Sequence, residues 1–289
     1  MSEQGCKADM GDGAAVVDTC GYPVETTGNA VLDILEHRSS TRAFARDDND
    51  RPVAVTDEQR AAILHAASRA PSAGAMMMYS IVSIREQARL DRLADLCDHQ
   101  PMIAKAPWAL IFVVDYAKWI DLFEHVGCFE PEFVERTGKS PRRAPGLGDF
   151  AIAAQDAVIA AQNAVVAAEA LGLGSCYIGD VIENAEEVAA LLDLPPNTMP
   201  LSMLIIGTPR KERPAIAHPV VNLVHEERYR RADTATMDAQ VAETDAMFRP
   251  HAREVGERVV DIYTRKHTSP FMAEMSRSME WWFKNWLGK

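Results

Sequence analysis

Arg38-Ser39-Ser40-Thr41-Arg42 places two guanidiniums and three hydroxyls within five consecutive residues. A guanidinium is a rigid fork of donors that matches phosphate oxygens, and Ser and Thr add neutral donors. A set this compact suits one terminal phosphate. Arg and Ser are also common at a solvated helix end, which is the other reading of the same residues.

Other familiar chemistries leave no trace. The eight histidines include no H-E-x-x-H pair, so a protein-bound metal is not expected. The five cysteines are odd in number and none are spaced C-x-x-C, which reads as reduced thiols in a cytoplasmic protein. No Ser/His/Asp or Cys/His set stands out as a nucleophile. The net charge of −12 over 289 residues argues against nucleic acid or an anionic membrane as partner, and it sets the basic cluster apart. The first residues, MSEQGCKADMGDG, lack the basic start and apolar core of a signal peptide. The most apolar stretch, 151–171, is interrupted by Gln155, Asp156, Gln162, Asn163 and Glu169, as in a buried helix and not a membrane span.

The elements that must position the cluster follow from spacing. Asn29 reads as an N-cap, with Val31, Leu32, Ile34 and Leu35 on one apolar face leading to Arg38. Thr56 with Gln59 forms a capping box for a helix to about Arg69, broken by Ala70-Pro71-Ser72-Ala73-Gly74. Strands are expected at 79–84, 109–114 and 201–206, and helices at 86–97, 150–171 and 185–192. Gly172 and Gly174 follow a helix, so they are C-cap candidates and not a dinucleotide fingerprint, which disfavours a doubly wound fold. Residues 175–178 read as a short apolar link. The stretch 115–149 reads as a helical excursion returning through a mobile loop. Two helical patterns near 233–265 and 270–287 close the chain. No internal repeat is visible.

RSSTRAF, APSAGAMMMYSI, AAQNAVVAAEALGLGSCYIGDV, LPPNTMPLSMLIIGTP and LVHEERY follow one another in this order. The series resembles the FMN-dependent nitroreductase family with its NAD(P)H:FMN oxidoreductase relatives, over roughly residues 29–231. The resemblance implies an α+β fold with a central, mostly antiparallel sheet flanked by helices, in an intertwined homodimer. It implies an FMN-binding domain over 29–231; composition and periodicity add a flexible leader over 1–28 and a helical extension over 232–289 that packs on the domain or on the partner subunit. The aromatic residues of the extension must be covered by one or the other.

The same resemblance assigns residues. Arg38, Ser39, Ser40 and Arg42 go to the FMN phosphate. Pro71, Ser72, Ala73 and Gly74 match a loop against the flavin, where small residues let the backbone approach the ring. Tyr177, Ile178 and Gly179 match a segment beside flavin N5, with Ile178 placed to cover one face of the ring. Gln100 falls in a segment that approaches the pyrimidine edge in relatives; a surface role fits it equally. Arg213, with Lys211, is a candidate for the phosphate after the last strand. The chain departs from the family at Ala75-Met76-Met77-Met78, where relatives carry polar residues. The Met triplet lines an apolar acceptor pocket or fills core.

The implied activity is a ping-pong transfer of hydride from NADH or NADPH through FMN to nitroaromatics, quinones or similar electron-poor small molecules. The flavin carries the hydride, so no catalytic side chain is required. A non-catalytic flavin carrier or sensor, and same-fold dehalogenase, flavin-fragmenting or azoline dehydrogenase activities, are the alternatives.

Overall fold

The computed structural model describes residues 27–139, 143–211 and 220–288. Most of the expected leader, part of the 115–149 excursion, and Arg213 lie outside these residues. By packing, the chain divides into two units: Met1–Arg38 with Pro214–Asp261, and Ser39–Arg213 with Ile262–Lys289.

The larger unit is built on four antiparallel strands: β1 (Tyr79–Ile84), β2 (Trp108–Asp115), β3 (Gly174–Ile178) and β4 (Thr198–Gly207), in the order β1-β2-β4-β3. All eight residues of β2 are buried, as a strand covered on both faces requires. Pro200 lies inside β4 and has no N–H for a ladder bond; the β2–β4 register shifts there, between Phe112 and Val113.

Side chains of β2 alternate between two cores. Trp108, Leu110, Phe112 and Val114 meet the helices α2 (Asp57–Ser68) and α7 (Leu147–Ala170). Ala109, Ile111 and Val113 meet α3 (Gln87–Leu96), α4 (Pro101–Ala104) and α8 (Ala185–Leu192). Alanines 153, 157, 160, 161, 164 and 168 give α7 a thin buried face, so it lies close to the sheet. By length and composition α7 is apolar enough to cross a membrane, yet this face is core. Gly172, at φ 72°, ends it: Leu173 N–H reaches Ala168 O and Gly172 N–H reaches Glu169 O.

The excursion after β2 holds α5 (Ala117–His125) and α6 (Pro131–Thr137). The final helix, α11 (Pro270–Trp286), packs within its own unit. Trp282 and Trp286 are fully buried, Trp282 Nε1 donates to Ile182 O at 2.9 Å, and Trp286 Nε1 donates to Gly146 O at 3.1 Å. These two indoles are therefore core of the larger unit.

In the smaller unit, Asn29 caps α1 (Ala30–His37) through Val31 and Leu32 N–H, and Asp233 caps α9 (Thr234–Phe248). The single helix expected over 233–265 is broken. Asp245, 9% exposed, accepts the N–H groups of Gly256 and Arg258, which folds the chain back before α10 (Glu257–Ile262). Residues 175–178, expected as a link, form β3.

Candidate functional site

The loop between α2 and β1 is strained and pinned. Gly74, Ala75 and Met77 all have positive φ, at 57°, 56° and 49°. Ala and Met pay about 1–3 kcal/mol for such a backbone, so the loop must be held from outside. Asp156 on α7, 2% exposed, accepts Ala73 N–H at 3.0 Å and Met78 N–H at 3.2 Å. Ser72 Oγ accepts Met77 N–H at 3.1 Å, and Trp119 Nε1 donates to Met76 O at 2.8 Å. Lys118 Nζ reaches Tyr79 O at 2.5 Å; burial lowers its pKa, against the opposing pull of Asp115 and Asp156. Ala73, Gly74 and Met77 remain exposed on this frame.

At the end of β3 the chain makes a tight turn through Gly179 into Asp180–Ile182. Ile178 is 1% exposed and packs in the core, so its side chain has no free surface to lay on a ring. The outward side chain is that of Tyr177, 36% exposed, whose hydroxyl donates to Gln162 Oε1 on α7 at 3.3 Å. The Gln100 amide donates to Asp180 Oδ2, which ties the turn before α4 to the turn after β3. Gln100 is thus engaged within the protein and is not an idle surface group.

Behind this turn lies a buried acid. Burial pushes the Glu183 carboxyl up to about 7, and the carboxylates of Asp180, Asp98 and Glu274 add to the shift. The same burial, with Asp180 and Glu183 nearby, raises the Cys97 thiol well above its ordinary value, so Cys97 is a core residue and not a nucleophile.

Residues 39–46 run beside the opposite edge of β3. Thr41 N–H bonds Ser175 O at 2.8 Å, Ala45 N–H bonds Thr208 O at 2.8 Å, and Arg210 N–H bonds Ala43 O at 3.0 Å. Ser39 is buried and Ser40 half-buried, and neither hydroxyl has a partner among the described residues. Arg42 is exposed and unpaired on the same terms. Arg38, the next residue back in sequence, closes α1, and its Nε is buried without an acceptor among the described residues.

The larger unit therefore carries Ser39, Ser40 and Arg42, the loop Pro71–Gly74, Gln100 and the Tyr177–Gly179 turn. Gln100 joins the Tyr177–Gly179 turn through Asp180, and Thr41 joins the Ser39–Arg42 run to β3. Asp156, Trp119 and Lys118, which fix the strained loop, escaped the sequence reading. Asp156 was visible only as one carboxylate inside an alanine-rich helix.

Comparison with known proteins follows this geometry. Residues 35–208 match the model of the Nitroreductase family. The chain is 32% identical over 215 residues to an FMN reductase [NAD(P)H] of Bacillus subtilis, covering 73% of this chain and 79% of that one. It is 32% identical over 218 residues to an oxygen-insensitive NADPH nitroreductase of Salmonella typhimurium, covering 73% and 81%. The fold superposes on the NADPH:FMN oxidoreductase from Vibrio harveyi complexed with NAD+ at a TM-score of 0.64 and 25% identity, covering 86% of this chain and 97% of that chain. The chain belongs to the Nitroreductase family.

Proposed function

We propose that this protein is an FMN-dependent oxidoreductase that takes a hydride from NADH or NADPH and delivers it to nitroaromatics, quinones or similar electron-poor small molecules. The observation that carries the reading is the buried Thr41 Oγ1, which has no partner among the described residues, within the run of unused donors at Ser39, Ser40 and Arg42, in a chain of this family. Buried donors without acceptors are rare, and a phosphate supplies acceptors in number. These residues fit a flavin mononucleotide.

When bound, FMN supplies the hydride-accepting and hydride-donating chemistry. The protein binds and orients. Ser39, Ser40 and Arg42 would hold the phosphate. The exposed Ala73–Gly74 backbone and Tyr177–Gly179 would lie against the ring. Asp156 and the Gln100–Asp180 bond keep those two segments rigid, so that little reorganisation accompanies each half-reaction. Within Ala75–Met78, Met78 is core and Met76 packs against it, while Ala75 and Met77 are exposed and would give the flavin pocket an apolar lining.

The reading includes a homodimer. Ile152, Val158 and Ile159 form an exposed apolar stripe on α7, opposite its alanine face. It also places the protein in the cytoplasm, where the free thiols of Cys97, Cys128 and Cys176 stay reduced. The test is to release the cofactor by heat and chromatograph it. FMN is expected; FAD, or no flavin after reconstitution, overturns the assignment.

A further inference from the structure

Gln100 ends a turn that the backbone does not adopt willingly. Asp98 and His99 are consecutive, neither is a glycine, and their φ angles are 52° and 51°. Bonds on both sides hold the turn. Cys97 N–H reaches Leu93 O at 2.9 Å, Gln100 N–H reaches Ala94 O at 2.9 Å, and Asn184 Nδ2 reaches Leu96 O at 2.8 Å. Asn184 follows the Gly179–Ile182 turn, so it fastens that turn to this one. A side-chain bond fastens them again, the Gln100 amide donating to Asp180 Oδ2. All of these residues belong to the larger unit.

The partner decides which way round the amide stands. A carboxylate accepts and does not donate, so the Gln100 nitrogen faces Asp180 and Oε1 faces away from it. Gln100 Oε1 has no partner among the described residues. The side chain is half-buried, and a Cβ at Gly179 would meet nothing within 4 Å, so the backbone beside this pair is open on that side. An amide without a fixed partner turns over and offers donor or acceptor alike. This one offers an oriented acceptor on a braced turn.

We propose that Asp180 is a positioning residue that turns the Gln100 amide so that Oε1 accepts the imide N3–H of the isoalloxazine ring. The inference rests on the FMN reading above, which sets Tyr177–Gly179 against that ring. The imide edge presents acceptor, donor and acceptor in a row, and only its middle atom can give to a fixed oxygen. An amide turned the other way would meet the flanking carbonyls with N–H instead. Asp180 therefore decides which atom of the ring is read, and a free N3–H becomes a requirement for tight binding. Asp180→Asn keeps a partner of the same size and removes the lock, because its amide can accept from Gln100 or donate to it.

The experiment is titration of FMN and of 3-methyl-FMN, in which a methyl replaces the N3 proton, into the flavin-free protein, read by flavin fluorescence. It is run on the parent, Asp180→Asn, Gln100→Ala and Glu183→Gln, the last removing the carboxyl next to Asp180. Bleaching of the bound flavin by NADPH and NADH is followed alongside. The parent and Glu183→Gln are expected to bind FMN at least about tenfold tighter than 3-methyl-FMN. That ratio should fall at least about threefold in Asp180→Asn, and to about one in Gln100→Ala, through weaker binding of FMN. A parent ratio of about one, or a ratio unmoved in Asp180→Asn, overturns the proposal even where NADPH bleaches the flavin. So does a ratio narrowed only by tighter binding of 3-methyl-FMN, which marks a loosened pocket, or one that falls as far in Glu183→Gln, which marks lost charge. Discrimination that depends on Asp180, in a protein whose flavin neither nucleotide bleaches, supports the positioning role and overturns the oxidoreductase activity instead. Binding of neither flavin overturns the FMN reading and this role with it.

Discussion

Asp156 Oδ2 accepts the backbone N–H of Met78 at 3.2 Å, which joins the middle of α7 to the end of the strained loop that carries Gly74. With Oδ1 on Ala73 N–H, one buried carboxylate holds both ends of that loop. Asp156→Asn presents an amide N–H to one of those donors. A hydrogen bond to a charged group is worth about 1.5–3 kcal/mol, so a loss of at least that size is expected in urea unfolding. FMN affinity should fall with it. An unchanged unfolding midpoint would mean that the loop holds its shape unaided.

Arg42→Ala is expected to weaken FMN binding about tenfold to a hundredfold, the equivalent of one charge-assisted hydrogen bond. Arg213→Ala should weaken it less, because Arg213 matches no fixed position in the motif. Titration of FMN into the two apo variants, read by flavin fluorescence, checks the order. Equal affinities would show that the phosphate site is misassigned.

Glu183 sets a pH dependence of stability. Burial raises its carboxyl to about 7, above the unfolded value, so the native state holds this proton more tightly than the unfolded state does. The contribution is complete below the unfolded pKa and is lost as pH rises through about 7. The melting temperature should therefore fall between about pH 5 and about pH 8, and Glu183→Gln should flatten that fall. A Glu183→Gln profile parallel to that of the parent contradicts the assignment.

Gly207→Ala tests the junction of Pro107 and Phe44. The added methyl has no room, and overpacking of this kind costs about 1–3 kcal/mol. Trp282→Ala should cost more, about 3–5 kcal/mol, because the indole is fully buried and its N–H is bonded to Ile182 O. Denaturant unfolding measures both. A Trp282→Ala protein of unchanged stability would mean that α11 is an appendage and not core.

The sequence carried the elements whose signals are local. Asn29 and the Thr56–Gln59 box cap helices as their side-chain chemistry dictates, and β1 and α8 begin and end where the apolar pattern does. What it concealed depends on distant partners. β3 is five residues long and is a strand only because β4 pairs with it, so Gly174–Ile178 reads as a link when taken alone. The break at 249–256 depends on Asp245 turning back to Gly256 and Arg258, a bond that helical periodicity does not encode. The Ser39–Arg42 run was legible because its donors are consecutive. The role of Asp156 was hidden because its partners lie 78 and 83 residues away.

The central claim is that this chain holds FMN and passes electrons through it. The most direct measurement is the absorbance of the FMN-loaded protein under anaerobic mixing with NADPH or NADH, followed by a nitroaromatic or a quinone. The account requires the flavin bands to bleach with reduced nicotinamide and to return when the acceptor is added. A protein that binds FMN yet keeps its bands unchanged with both nucleotides would be a flavin carrier, and the proposed activity would be wrong.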